Sequence, residues 1–249
     1  MGKPLNQQRR GKGSPVFRAP SHRYKYKVSF RDYDDNEKKD KIRAEVIEFI
    51  NHPAHTGVVM KVKTEKGELI PLLAPESIAI GDNIFFGKNA EVSLGNVLPL
   101  SEIPDGTPIY NIEKEPGDCG RFVKSAGAVA YVVSHKGNDI YVNLPSKKVK
   151  IFDKDCRAQI GMISMGGRLE KPMFKAGKKY HMVKSTARYW PHVRGITMNP
   201  VDHPYGGSQH HTGRSTATKR TAPPGQKVGL VGAATTGRGW RKLRKRVRK

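Results

Sequence analysis

Between residues 24 and 173 the apolar positions recur in short alternating runs broken by glycine and proline, and no stretch there keeps a helical period. The run 44–50 alternates through Val46, Ile47 and Phe49 into a loop at Asn51-His52-Pro53. The run 58–63 then turns through Glu65-Lys66-Gly67 into 69–73, which predicts a hairpin. Beyond Pro75, Ile78 and Ile80 precede a Gly81-Asp82-Asn83 turn and Ile84-Phe85-Phe86, closing a first small β unit by about Leu100. A second set follows the Pro104-Asp105-Gly106 turn: 109–112, 128–133, a Lys136-Gly137-Asn138 turn, 140–144, 149–152 and 158–163. Strands this short and evenly spaced predict barrels or sandwiches rather than a parallel α/β sheet. The pattern is that of two small β-barrels in tandem, at 24–103 and 104–173.

The pattern stops at both ends of this middle. The last 76 residues hold ten Gly and five Pro, with basic or hydroxyl residues nearly everywhere, and bury too little apolar area to offset chain entropy alone. A tail over 174–249 and an N-terminal arm over 1–23 are therefore expected to order on a partner.

Charge identifies that partner. Residues 1–23 carry six Lys/Arg and no acid, and residues 174–249 carry eighteen against the single acid Asp202. The middle holds 22 Lys/Arg against 21 Asp/Glu, so nearly all of the formal +24 lies in the arms. A neutral body folds without self-repulsion while cationic extensions neutralise phosphates, so the implied partner is nucleic acid. Solubilising tails or a membrane-surface patch are the competing readings, and neither arm has the amphipathic apolar face a membrane requires. In the N-terminal arm the candidate contacts are Arg9, Arg10, Lys12, Arg18, His22 and Arg23. In the tail they begin with Lys175, Lys178, Lys179, Arg188, Trp190 and Arg194. Farther along come Arg214, Lys219, Arg220, Arg238, Trp240 and Arg241, with Trp240 flanked by cations and suited to stacking on an unpaired base.

No run of eighteen apolar residues exists, no secretory signal opens the chain, and Asn6 stands where myristoylation requires Ser or Thr. Two cysteines, Cys119 and Cys156, make no disulfide framework, so a reducing cytoplasmic location is expected, without a membrane or homo-oligomer.

One stretch of the tail is unusually specific: Trp190-Pro191-His192-Val193-Arg194-Gly195-Ile196-Thr197-Met198-Asn199-Pro200-Val201-Asp202-His203-Pro204-Tyr205-Gly206-Gly207. Its prolines stiffen the backbone, Gly206 and Gly207 permit close approach of another chain, and Asn199, Asp202 and His203 offer hydrogen bonds without bulk. His203 as a general base lacks a nucleophile at recognisable spacing. A zinc site from His203, His210, His211 and Cys156 lacks the paired spacing of such modules, and His210-His211 suit bases or phosphates better.

This stretch resembles the signature of the universal L-two family of large-subunit ribosomal proteins. Arg18-Ala19-Pro20-Ser21-His22-Arg23-Tyr24-Lys25, Leu73-Ala74-Pro75, Gly95-Asn96-Val97-Leu98-Pro99-Leu100, Lys124-Ser125-Ala126-Gly127 and Asp155-Cys156-Arg157-Ala158 carry the resemblance across the chain, in its archaeal and eukaryotic form. It implies an all-β protein, an OB-fold-like barrel followed by an SH3-like barrel with extended basic arms. It also implies a structural, non-enzymatic constituent of the large subunit that binds 23S-type rRNA and supports assembly, subunit association, tRNA binding and the architecture near the peptidyl-transferase centre. Neighbouring ribosomal proteins and nearby small-subunit rRNA are the further implied partners. No cofactor is implied, with Mg²⁺ bridging to rRNA left open. On the body the resemblance implies Lys124 and Arg157 as RNA contacts. Bacterial relatives place arginine where this chain has His55 and Lys124, and a third glycine where it has Ser208. A free-standing OB/SH3 translation factor is the alternative.

Overall fold

The computed structural model describes residues 2–207 and 217–232. One compact unit is Pro20–Phe174, and another joins Met1–Ala19 to the chain from Lys175 onward.

The body is mostly sheet. Its strands are β1 (Lys41–Ile50), β2 (Val59–Thr64), β3 (Leu69–Leu73), β4 (Asn83–Gly87), β5 (Val97–Pro99), β6 (Pro108–Tyr110), β7 (Ala130–Lys136), β8 (Asp139–Asn143), β9 (Val149–Asp153) and β10 (Arg157–Ile160). They form one ten-stranded sheet in the order β3-β2-β1-β4-β5-β10-β6-β7-β8-β9. All neighbours are antiparallel except β4 and β5. The last strand, β10, thus sits between β5 and β6 and ties the two halves of the sheet together.

Local chemistry explains the pairing. The expected hairpin is β2–β3, in register from Val59 opposite Leu73 to Lys63 opposite Leu69. Gly67, at φ +86°, takes the left-handed position that its turn requires. In β1 the alternation breaks. The pairing steps from Val46 opposite Val62 to Glu48 opposite Lys61, a bulge that leaves Ile47 without a partner on β2. Ala44 and Val46, two residues apart, face the core, while Ile47 and Phe49 are 40% exposed.

Because successive residues of a strand point to opposite faces, one strand serves two cores. Val97 packs with Val46, Met60, Val62, Leu72, Ile84 and Phe86, whereas Leu98 packs with Leu100, Ile109, Val132, Ile140, Val142 and Phe152. A smaller cluster of Val28, Val59, Leu73, Tyr110 and Ile163 lies on the other side of β2 and β3, where the Tyr110 hydroxyl donates to the Leu73 carbonyl at 3.1 Å. Ile78 and Ile80 lie outside any strand. Ile112 and Ile163, expected inside strands, make single bridges to Phe122 and Pro75.

Short helices were not legible in the hydrophobic pattern. Asp35–Lys39 is capped by Asp34, whose carboxylate accepts from the Glu37 amide at 3.1 Å. Ala176–Lys184 buries none of its residues. The tail also carries β11 (Ala217–Thr218) and β12 (Leu230–Val231), paired in parallel. Among the described residues no helix is long and apolar enough to cross a membrane.

Candidate nucleic-acid interface

The specific stretch of the tail folds onto itself around its glycines. A Cβ on Gly206 would collide with the carbonyl oxygens of Met198 and Asn199, and one on Gly207, at φ +80°, with the Pro200 ring. The chain these glycines admit is thus their own loop, a correction to the expectation that they make room for a foreign one. Gly195 plays the same part for His203, whose imidazole occupies the space a Cβ there would fill.

That contact fixes His203 on one side, and hydrogen bonds fix it on the other. Its amide donates to the Asn199 carbonyl at 3.2 Å, and its Nδ1 accepts from the Tyr205 amide at 3.1 Å, with the Tyr205 ring 5.1 Å away. An Nδ1 that accepts carries no proton, so the neutral ring holds its hydrogen on Nε2. Partial burial pushes the imidazole below its ordinary range, which keeps it neutral. Asp202 pairs with Lys3 at 3.0 Å, and the Lys3 amide donates to the Val201 carbonyl at 2.7 Å, so the N-terminal arm is tied to this loop within one unit. The one acid of the tail is neutralised in this way.

The expected arm contacts are largely open to solvent. Arg9, Arg10, Lys12, Arg18, His22 and Arg23 are exposed, as are Lys175, Lys178, Lys179, Arg188, Arg194, Asn199, Lys219 and Arg220. Trp190 is half-buried with the Lys179 ammonium 5.5 Å from its ring centre. His210, His211, Arg214, Arg238, Trp240 and Arg241 lie outside the described residues. Tyr24 and Tyr26 pack on the body: Tyr24 lies 5.5 Å from the His52 ring, and His52 Nε2 donates to the Tyr26 carbonyl at 2.9 Å.

On the body, two segments far apart in sequence meet. Thr56 Oγ1 accepts from the Ala126 amide at 3.0 Å, and Gly57 leaves no room for a Cβ beside Ile163. This places His55 and Lys124 on adjacent loops. Lys124 is half-buried, its Nζ donates to the Gly120 carbonyl at 3.2 Å, and burial beside Arg121 lowers its pKa. Burial and the charge of Lys124 push His55 down to about 4. His55 therefore offers a neutral ring at physiological pH. The pH consequence has a definite sign: a group whose folded pKa is depressed adds stability that is complete above its unfolded value of about 6.5 and is lost as pH falls toward 4. An NMR titration of the His55 ring should show its midpoint near 4, and a midpoint near 6.5 would refute this burial.

Arg157 is not at the surface that the resemblance implies. It is 0% exposed, its Nη1 donates to Glu37 Oε1 and its Nη2 to Glu113 Oε1, both at 2.8 Å, and its Nε donates to Glu113 Oε1 at 3.2 Å. Nη1 also donates to the Arg31 carbonyl at 2.9 Å, and the guanidinium lies 4.7 Å from the Tyr33 ring centre. Every nitrogen of the fork is spent inside the body, so Arg157 holds the segment 30–37 on the sheet instead of touching RNA. Glu37 and Glu113, the partners that decide this, read in sequence as two acids among many. Among the described residues no group of three or more His, Cys, Asp or Glu is placed to hold a metal.

A charge-balanced β body joined to exposed, nearly acid-free cationic segments defines a polyanion-binding protein. Comparison with known sequences makes the class specific. The family Ribosomal Proteins L2, C-terminal domain, matches residues 93–227. Large ribosomal subunit protein uL2 of Methanopyrus kandleri is 49% identical over 243 residues, covering 97% of this chain and 100% of the relative. The uL2 protein of Methanocaldococcus jannaschii is 46% identical over 239 residues, 95% of this chain and 99% of the relative. That of Methanobrevibacter smithii is 49% identical over 238 residues, with 95% and 99% covered. The chain belongs to the uL2 family of large ribosomal subunit proteins.

Proposed function

We propose that this chain is a structural constituent of the large ribosomal subunit in the cytoplasm, and that it works by positioning 23S-type rRNA rather than by catalysis. The observation that carries the reading is 49% identity to a large-subunit protein along essentially the whole length of both chains. The charge partition supports the RNA partner: cations stand clear of acids in the arms, where they would neutralise the repulsion between approaching RNA helices. The strand order and the separate cores on either side of β5 are compatible with an OB-fold-like barrel at 24–103 followed by an SH3-like barrel at 104–173. The His55 and Lys124 loops are the body's candidate docking point, by stacking and by phosphate contact. Mg²⁺ bridging to the tail, contacts with neighbouring ribosomal proteins and proximity to small-subunit rRNA and the peptidyl-transferase centre belong to the same reading.

His203 separates positioning from catalysis. A general base accepts a proton on an open lone pair, but here Nδ1 is taken by the Tyr205 amide and Nε2 already bears hydrogen. His203→Gln, which keeps a donor at similar reach, is expected to leave peptide-bond formation by assembled subunits within a few-fold of native, while His203→Ala fails at assembly. Assembled His203→Gln subunits that bind tRNA normally yet are slowed by about 10²-fold in the chemical step, with the imidazole titration gone from the pH profile, would overturn the positioning role.

A further inference from the structure

Beside the His203 loop, the N-terminal arm and the tail enclose a cleft of about 750 Å³, lined by residues of both, among them Arg9, Arg10, Tyr189, His192 and His203. This lies within the range of sites that enclose small ligands, about 300–1,000 Å³. Its chemistry is neither that of an apolar pocket nor that of a solvated cationic face. Tyr189 stands between two other rings, Phe17 at 5.8 Å and His192 at 6.0 Å, with planes inclined at 40° and 63°. No pair stacks face to face, which leaves π faces for a third planar group. The cations are Arg9 and Arg10, neither of which makes an ion pair among the described residues, and Arg10 lies 5.8 Å from the Phe17 ring centre. The cleft's acid, Asp202, is already matched by Lys3. His203 adds an Nε2 hydrogen that has no acceptor among the described residues. Planar faces, two guanidinium groups without a carboxylate partner among the described residues and one neutral donor together are complementary to a nucleotide.

We propose that this cleft receives a single nucleotide of the rRNA, its base turned out of the stack against Tyr189 and His192 and its phosphate held by Arg9 and Arg10. The proposal rests on the rRNA-binding reading above and adds to it a discrete, base-accepting site in a region otherwise read as phosphate-neutralising. Its test uses the full chain with transcribed large-subunit rRNA, measuring filter binding and base-selective chemical probing at nucleotide resolution. In the native complex one unpaired base should change its reactivity. Tyr189→Leu and His192→Leu should abolish that change and weaken binding roughly tenfold, in line with the loss of one stacked base. Tyr189→Phe, which keeps the ring, should preserve both. If the Leu variants bind and probe as native while the complex still forms, the nucleotide site is refuted and rRNA binding stands. If the native chain does not bind the transcript, the rRNA reading itself fails. Competition by free AMP at millimolar concentration would reassign the cleft to a mononucleotide and overturn the proposal.

Discussion

Arg157→Ala is expected to destabilise the body by about 3–5 kcal/mol, the cost of leaving buried carboxylates without their counter-charge. Glu37 and Glu113 are both 0% exposed, and Arg157 bridges them across 120 and 44 residues of sequence. Arg31 cannot take over. It lies 3.6 Å from Glu37 but spends its guanidinium on Asp34 and on Glu68, the latter at 3.1 Å. Nor can water readily reach Glu37, so burial already holds its carboxyl above the usual range despite the pull of Arg157. Arg157→Lys should lose less than Arg157→Ala, because a point charge remains where the planar fork is gone. Urea denaturation of the full chain followed by its strand circular dichroism reads the loss. A midpoint unchanged by Arg157→Ala would show that the guanidinium is not in the core. The same variant, compared at equal folded concentration, should bind rRNA as the native chain does, since none of its nitrogens faces out.

The second large effect is on affinity. Each cation that neutralises a phosphate releases counterions, so log K against log salt should fall by about 0.7–0.9 per contact. Six to ten such contacts among the arm residues would lower the affinity for rRNA by about 10³–10⁵-fold between 50 and 200 mM salt. Lys175, Lys178 and Lys179 are exposed, so replacing all three by Gln disturbs no more than the Lys179 contact with Trp190 and should reduce the slope by roughly 2–3. A slope near zero in the native chain, or one indifferent to the triple substitution, would contradict phosphate neutralisation as the source of affinity.

Much of this was legible in the chain before any coordinates, for reasons that separate local from distant chemistry. The β2–β3 hairpin follows from alternation plus Glu65-Lys66-Gly67, all within fifteen residues. The charge boundary near Lys175 is a composition fact, legible without any partner residue. What stayed hidden depends on partners brought from afar. Val97 and Leu98 look alike in a hydrophobic run, yet opposite faces send them to different cores. The bulge after Val46 ends the alternation of buried positions at Glu48, and Ile47 and Phe49 stand exposed with nothing in their identity to say so. Arg157, an RNA contact by the resemblance, is instead held by Glu37 and Glu113, which lie 120 and 44 residues away in sequence. At Gly206 and Gly207 the atoms that approach belong to the loop itself, Met198, Asn199 and Pro200, and only the way the loop closes decides this.

The central claim is that the chain is a resident of the large subunit held there by its arms, and sedimentation tests it most directly. Tagged full-length protein expressed in an archaeal host should co-sediment with large subunits through a sucrose gradient and remain with them after a moderate-salt wash, because assembled RNA encloses the arms. Protein that runs free of the subunits, or that a moderate-salt wash strips from them completely, would contradict the account and favour a dissociable factor.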